Sequence, residues 1–141
     1  MCGERHSEHW LVDTLAKHAA NMTDVSEREI FDVLLERERL GTTGVGGGIA
    51  IPHGRLTGID HMYGLFARLD DPVEFDAIDD QPVDLIFLLL APEGAGADHL
   101  KALARVSRTL RDQTTCEKLR GTESSDAIYA VLTDSTSSRA A

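Results

Sequence analysis

The sequence is poor in cysteine, in positive charge and in long apolar runs, and each shortage removes a class of protein. Two cysteines in 141 residues, Cys2 and Cys116, cannot make a disulfide framework. Reduced thiols in a cytoplasm are the simplest expectation. Lys and Arg number 14 against 24 Asp and Glu, a formal net charge of −10 with a pI near 4.9. A phosphate backbone requires Lys and Arg, so nucleic acid is a poor match as a partner, and so is an anionic membrane surface. The longest apolar run, Leu85 to Ala91, is far short of the roughly 20 residues that span a bilayer. The opening MCGERHSEHW lacks the apolar region of a secretory signal. There is no internal repeat and no linker, so a single domain over 7–133 is expected, with 1–6 and 134–141 as flexible termini. Six histidines (6, 9, 18, 53, 61 and 99) show no zinc-ligand spacing, so neither metal nor cofactor is expected.

What remains is enough for one globular domain with a real core: 42% hydrophobic and 27% charged residues. Helical periodicity runs from Ser7 to Met22, through Trp10, Leu11, Thr14, Leu15, His18, Ala19 and Met22. A second helix spans Ser26 to Leu40, with Ser26 and Glu29 as a capping box, Ile30, Val33 and Leu34 as the buried stripe, and Gly41 as the stop. Strands follow at Ile49–Ile51, Met62–Leu69 and Val73–Phe75. The near-continuous apolar run Val83–Leu90 reads as a central strand covered on both faces. Asp98 then caps a helix over His99–Arg111 whose face is Leu100, Leu103, Ala104, Ser107 and Leu110. A short helix at Thr115–Arg120 ends at Gly121, and Ser125 caps a last helix through Leu132. Helices at both ends with strands between indicate α/β architecture, a mixed sheet sandwiched between helices.

Gly41 to Arg55, GTTGVGGGIAIPHGR, is the most unusual segment. Glycines at this density permit positive φ, and successive amides there could form an anion nest. A flexible surface turn is the plainer meaning of the glycines alone. Neither a Walker A loop nor a dinucleotide fingerprint is present. His53 follows Pro52 at the end of a predicted strand, with Gly54 leaving room beside the imidazole. An imidazole so held could attack phosphorus in an in-line displacement, whereas a lone surface histidine would need no role. Arg37 lies on the same helical face as Ile30 and Val33. It could snorkel or complement the helix end, or it could point its planar donors at a phosphoryl group. Spacing leaves these two open. His99 falls in a helical first turn, where a polar residue is common and where the dipole disfavours imidazolium.

LLERERLGTTGVGGGIAIPHGR (34–55) resembles the active-site signature of the type-2 enzyme IIA domains of the bacterial phosphotransferase system, the fructose/mannitol class and its nitrogen-regulatory branch. FDAIDDQPVDLIFLLLAP (75–92) and DHLKALARVSRTLRD (98–112) resemble the family in the same order, and the likeness covers roughly residues 10–133. The resemblance implies the phosphotransferase/anion-transport fold and a phosphorylated histidine at His53, reacting through Nε2. It also implies a second active-site histidine at His99, an arginine at Arg37 that stabilises the phosphoryl group, and a phosphate-binding loop of Thr42, Thr43, Gly46, Gly47 and Gly48. Thr42 keeps the hydroxyl of a frequent Ser, and Gly47 replaces a frequent Asn. The implied donor is an HPr-like phosphocarrier. The implied recipients are regulatory targets (kinases or transport proteins) in the nitrogen branch, which the 34–112 sequence resembles more, or an enzyme IIB cysteine in sugar transport. A binding module of the same fold that carries no phosphoryl group is the third possibility. Arg37, Arg55 and the loop amides would then form a local positive patch on an acidic protein.

Overall fold

Ser26 begins the second helix as its sequence predicts: the Ser26 side chain accepts the Glu29 N–H at 3.2 Å. The computed structural model describes residues 8–75, 77–128 and 130. They divide into two compact units at Ala95–Gly96.

In the first unit α1 (Glu8–Thr23) and α2 (Glu27–Arg39) pack on each other. Ser7, the expected cap of α1, lies outside the described residues. The buried stripe of α1 is Leu11, Val12, Leu15, Ala16, Ala19 and Thr23. His18 and Met22, expected inside, are exposed. The expectation caught the 11/15/19 rung but paired it with 10/14/18/22, where the structure uses 12 and 16. The apolar faces of α1 and α2 meet Ile86, Leu88 and Leu90 in one core with Leu56, Val73 and Phe75.

Five strands form one mixed sheet: β1 (Gly44–Gly46), β2 (Ile49–Ala50), β3 (His53–Leu56), β4 (Tyr63–Val73) and β5 (Val83–Pro92). β5 is central and almost wholly buried, as its composition predicts. β4 runs antiparallel along one side of it. β2 and β3 run parallel along the other side, and β1 folds back antiparallel on β2. Ile49 lies opposite Leu85 and His53 opposite Leu89, four residues on in both strands. β2 and β3 are therefore one line, interrupted at Pro52, which has no N–H to donate but whose carbonyl still accepts from Leu89 at 3.0 Å.

Three expectations are corrected here. His53 opens a strand rather than closing one. The glycine-rich segment contains a strand, β1, which glycine's poor strand propensity concealed. The strands expected at 62–69 and 73–75 are one strand, β4, with an irregularity between Arg68 and Val73 where Pro72 cannot take part in a regular ladder.

In the second unit α3 (Ala97–Arg111) starts after Gly96, so Asp98 is inside the helix and caps nothing. His99, Thr109 and Leu110 are its buried residues, whereas Leu100 is 62% exposed, so the helix is rotated from the expected face. α4 (Gln113–Gly121) begins two residues before the expected start, and Asp112 accepts the Thr115 hydroxyl at 2.7 Å. The helical turn at 125–128 is capped by Ser124, whose Oγ accepts the Ala127 N–H at 3.1 Å, not by Ser125. The expected continuation to Leu132 lies outside the described residues.

Candidate functional site

The C-terminal end of α2 meets the start of β3, and polar side chains from both converge at this junction. Gly54 makes the approach possible. A Cβ there would come within 2.5 Å of Val33 Cγ1. The missing side chain makes room for α2 rather than, as expected, for the imidazole. One helical turn beyond Val33 stands Arg37, and the close packing delivers its side chain to His53.

His53 is held at both ring nitrogens. Its Nδ1 lies 2.8 Å from the Ile51 carbonyl. A carbonyl only accepts, so Nδ1 carries the proton and Nε2 carries the lone pair. Arg37 Nε donates to that Nε2 at 3.3 Å. The imidazole is half-buried, and its pKa is lowered from the ordinary value of 6.5. Desolvation is the largest cause, the Ile51 carbonyl opposes it, and the Arg37 charge reinforces it. A neutral imidazole with a defined tautomer results.

Arg37 is also tethered, donating from a terminal guanidinium nitrogen to the Gly41 carbonyl at 2.9 Å. Arg37 thus binds a carbonyl just beyond the end of its own helix and also faces the histidine. Glu38, its neighbour, accepts from the Thr43 N–H at 3.1 Å and from the Thr43 hydroxyl at 2.6 Å. Burial raises the Glu38 pKa, against the lowering effect of the Thr43 hydrogen bonds and the Arg37 charge.

The residues expected to form a phosphate-binding loop have other partners. The Thr42 hydroxyl donates to the Phe75 carbonyl at 3.1 Å and accepts the Gly44 N–H at 3.0 Å. Thr43 is buried against Glu38. Gly46, Gly47 and Gly48 have φ of 98°, 67° and 80°; Gly46 ends β1, and Gly47 and Gly48 form the turn to β2. The Gly47 N–H donates to Asp79 at 3.0 Å, and Gly48 offers its carbonyl to Asp84 and Leu85. From Ile49 to His53 the edge advances four residues, about 13 Å at roughly 3.3 Å per residue. The glycine turn lies beyond Ile49, out of reach of a group bonded to Nε2. Arg55 is exposed on β3, on the same strand face as His53. His99 belongs to the second unit, where it is buried in the first turn of α3.

Of the residues singled out in the sequence, the structure brings His53 and Arg37 together; Glu38 and the Ile51 carbonyl, which join them at this junction, have no signal there. Glu38 sits in an ERER run that looks like a solvated face, and a carbonyl has no sequence signature.

A neutral, oriented imidazole with a guanidinium at its lone pair, at the edge of a mixed α/β sheet, is suited to accept and release an anionic group. The chain belongs to the family described as phosphoenolpyruvate-dependent sugar phosphotransferase system, EIIA 2, whose model matches residues 6–135. It is 58% identical over 127 residues to a nitrogen regulatory protein of Bradyrhizobium diazoefficiens, covering 90% of this chain and 83% of that one. It is 39% identical over 124 residues to a fructose-specific EIIA component of Haloferax volcanii, covering 87% of this chain and 80% of that one. The crystal structure of the nitrogen regulatory protein IIA-Ntr from Neisseria meningitidis superposes with a TM-score of 0.85 at 37% identity, covering 89% of this chain and 86% of that one. The expected family and fold class hold. Among the described residues, no helix is long and apolar enough to cross a membrane.

Proposed function

We propose that this protein is a histidine phosphocarrier of the nitrogen-regulatory branch, taking a phosphoryl group on His53 Nε2 from an HPr-like donor. The observation that carries the reading is the fixed tautomer: Nδ1–H on the Ile51 carbonyl, Nε2 toward Arg37. In the transfer, the P–N bond of the donor's protonated phosphohistidine breaks as the P–Nε2 bond forms. The donor leaves as neutral imidazole, and the ring of His53 keeps its Nδ1 proton and becomes cationic. The Ile51 carbonyl stabilises that charge, the same hydrogen bond that favours a protonated ring in the resting state. Such transition states are loose, so positioning and charge stabilisation supply most of the acceleration. Arg37 moves its Nε–H from the lone pair to the equatorial oxygens, uncovering the nucleophile as it binds the incoming charge. His99 enters this reading through the sequence resemblance, as the second histidine of the phosphotransfer.

The 58% identity to a nitrogen regulatory protein supports a signalling role, with the phosphorylation state read by kinases or transport proteins. The similarity to a fructose-specific component keeps one second reading, transfer onward to an enzyme IIB cysteine. Incubation with the phosphorylated carrier is expected to give one acid-labile, base-stable phosphate, absent in His53→Ala. Undiminished labelling of that variant would sink the proposal. Stable capture of a sugar permease IIB would favour the second reading.

A further inference from the structure

The contacts around His53 close on themselves. Arg37 Nε–H donates to His53 Nε2, and His53 Nδ1–H donates to the Ile51 carbonyl. The Ile51 N–H donates to the Thr43 carbonyl at 3.0 Å. The Thr43 N–H and hydroxyl both donate to the Glu38 carboxylate, and Glu38 is peptide-bonded to Arg37. We propose that Glu38 and Thr43 are positioning residues, closing a ring that holds Arg37 and both nitrogens of His53 in one arrangement.

Three observations support this. Glu38 stands in the last turn of α2, where the helix dipole disfavours a carboxylate, so local helix stability does not explain it. Its carboxylate is withdrawn from water to meet Thr43, which is only 4% exposed. Between the two lies Gly41, with φ of 148° and nothing within 4 Å of a would-be Cβ. Among the described residues beyond its chain neighbours nothing packs against that side of the turn, yet its carbonyl is the anchor for Arg37. The Glu38–Thr43 clasp ties the far end of this turn to the helix and so restrains the anchor.

The inference rests on the phosphocarrier reading for its consequence, but its geometry is testable without phosphotransfer. In Thr43→Val the hydroxyl is lost at nearly constant volume, and in Glu38→Ala both acceptor oxygens of the clasp are removed. Both are expected to let Arg37 move from His53. Titration of His53 followed by NMR should then shift to higher pH, because the Arg37 charge no longer opposes protonation, and the Nε2 nitrogen shift should change. Transfer at saturating phosphorylated carrier should fall between about 10- and 100-fold, with half-saturation by the carrier unchanged. Thr43→Ser should restore all three. A folded variant at either position with the wild-type His53 titration and nitrogen shifts overturns the proposal; Glu38→Ala decides the matter if Thr43→Val does not fold. A wild-type protein that takes no phosphoryl group would refute the phosphocarrier reading instead, and the NMR comparison would still judge the ring.

Discussion

The junction of α2 with β3 and the glycine turn between β1 and β2 look like one site in the sequence and are two places in the structure. The turn and the β3 half of the junction come from the stretch 41–55, and the end of α2 that completes the junction directly precedes it. At the junction, side chains converge: Arg37, Glu38, Thr43 and His53 share one hydrogen-bonded ring. At the turn, the glycines serve the backbone. Three consecutive positive φ values reverse the chain, and the Gly47 amide is taken by Asp79. Glycine density reports what the backbone must do, and here it reports a hairpin. The position of a reactive group is set by what packs against it, and for His53 that is a helix let in by the absent Cβ of Gly54.

The largest effect that would sharpen this contrast belongs to Arg37. In Arg37→Ala, transfer to His53 should slow by about 10²- to 10³-fold, the usual cost of removing one preorganised donor from developing charge. Arg37→Lys should recover only part, because a single ammonium cannot hold both His53 and the Gly41 carbonyl. Arg37→Ala also tests the electrostatics. His53 has its folded pKa below the ordinary 6.5, so between the two values the unfolded chain holds more protons. Its contribution to stability is complete above 6.5 and is lost as the pH falls through that window. Removing the Arg37 charge raises the folded value and narrows the window. NMR titration of the His53 ring in both proteins measures this, and an unmoved titration would separate Arg37 from His53.

Gly54→Ala comes next. The new methyl would need the space of Val33 Cγ1, 2.5 Å away, and both are anchored by their elements, so α2 must shift. Overpacking of this kind costs about 1–3 kcal/mol, read as a lowered denaturation midpoint. Transfer should fall about tenfold beyond what the lost stability explains, since the shift carries Arg37 with it. Val33→Ala in the same chain should return both toward wild type, and failure of that rescue would detach the helix–strand packing from the chemistry.

Much of this was readable beforehand, for reasons that can be stated residue by residue. The apolar run of β5, the Ser26 cap and the Gly41 stop are local signals, and each holds in the structure. His53 stands out because it follows Pro52 at a strand boundary with Gly54 beside it, inside a segment that resembles a family signature. What could not be read depends on pairing between distant segments. β1 has no β-prone pattern and exists because Ala50 lies opposite Gly44. The close approach of Ala77 to Gly44, 2.9 Å from a would-be Cβ, joins residues far apart in the chain. The face of α3 was misjudged because Leu100 is exposed where His99 is buried, against their ordinary preferences. The Glu38–Thr43 contact spans only five residues, but nothing in the letters E and T separates a clasp from two solvated side chains.

The smallest expected effect is the one that could break the comparison. In Gly47→Ala the added methyl meets, among the described residues, only Ile49 Cδ1, at 3.9 Å, so sterics with them are minor. What remains is the φ of 67°, which costs a non-glycine residue about 1–2 kcal/mol. The denaturation midpoint should fall by a few degrees. Asp79→Asn should act in the same direction, because its carboxylate accepts both the Gly47 and Gln81 amides, the bonds that hold its pKa down. Neither change touches the ring around His53, so both proteins, compared below their midpoints, should accept phosphoryl groups within about twofold of the wild-type rate. If either slows transfer as Arg37→Ala does, the glycine turn must move to the histidine during the reaction. The stretch 41–55 would then be one site after all, assembled only when the donor is bound.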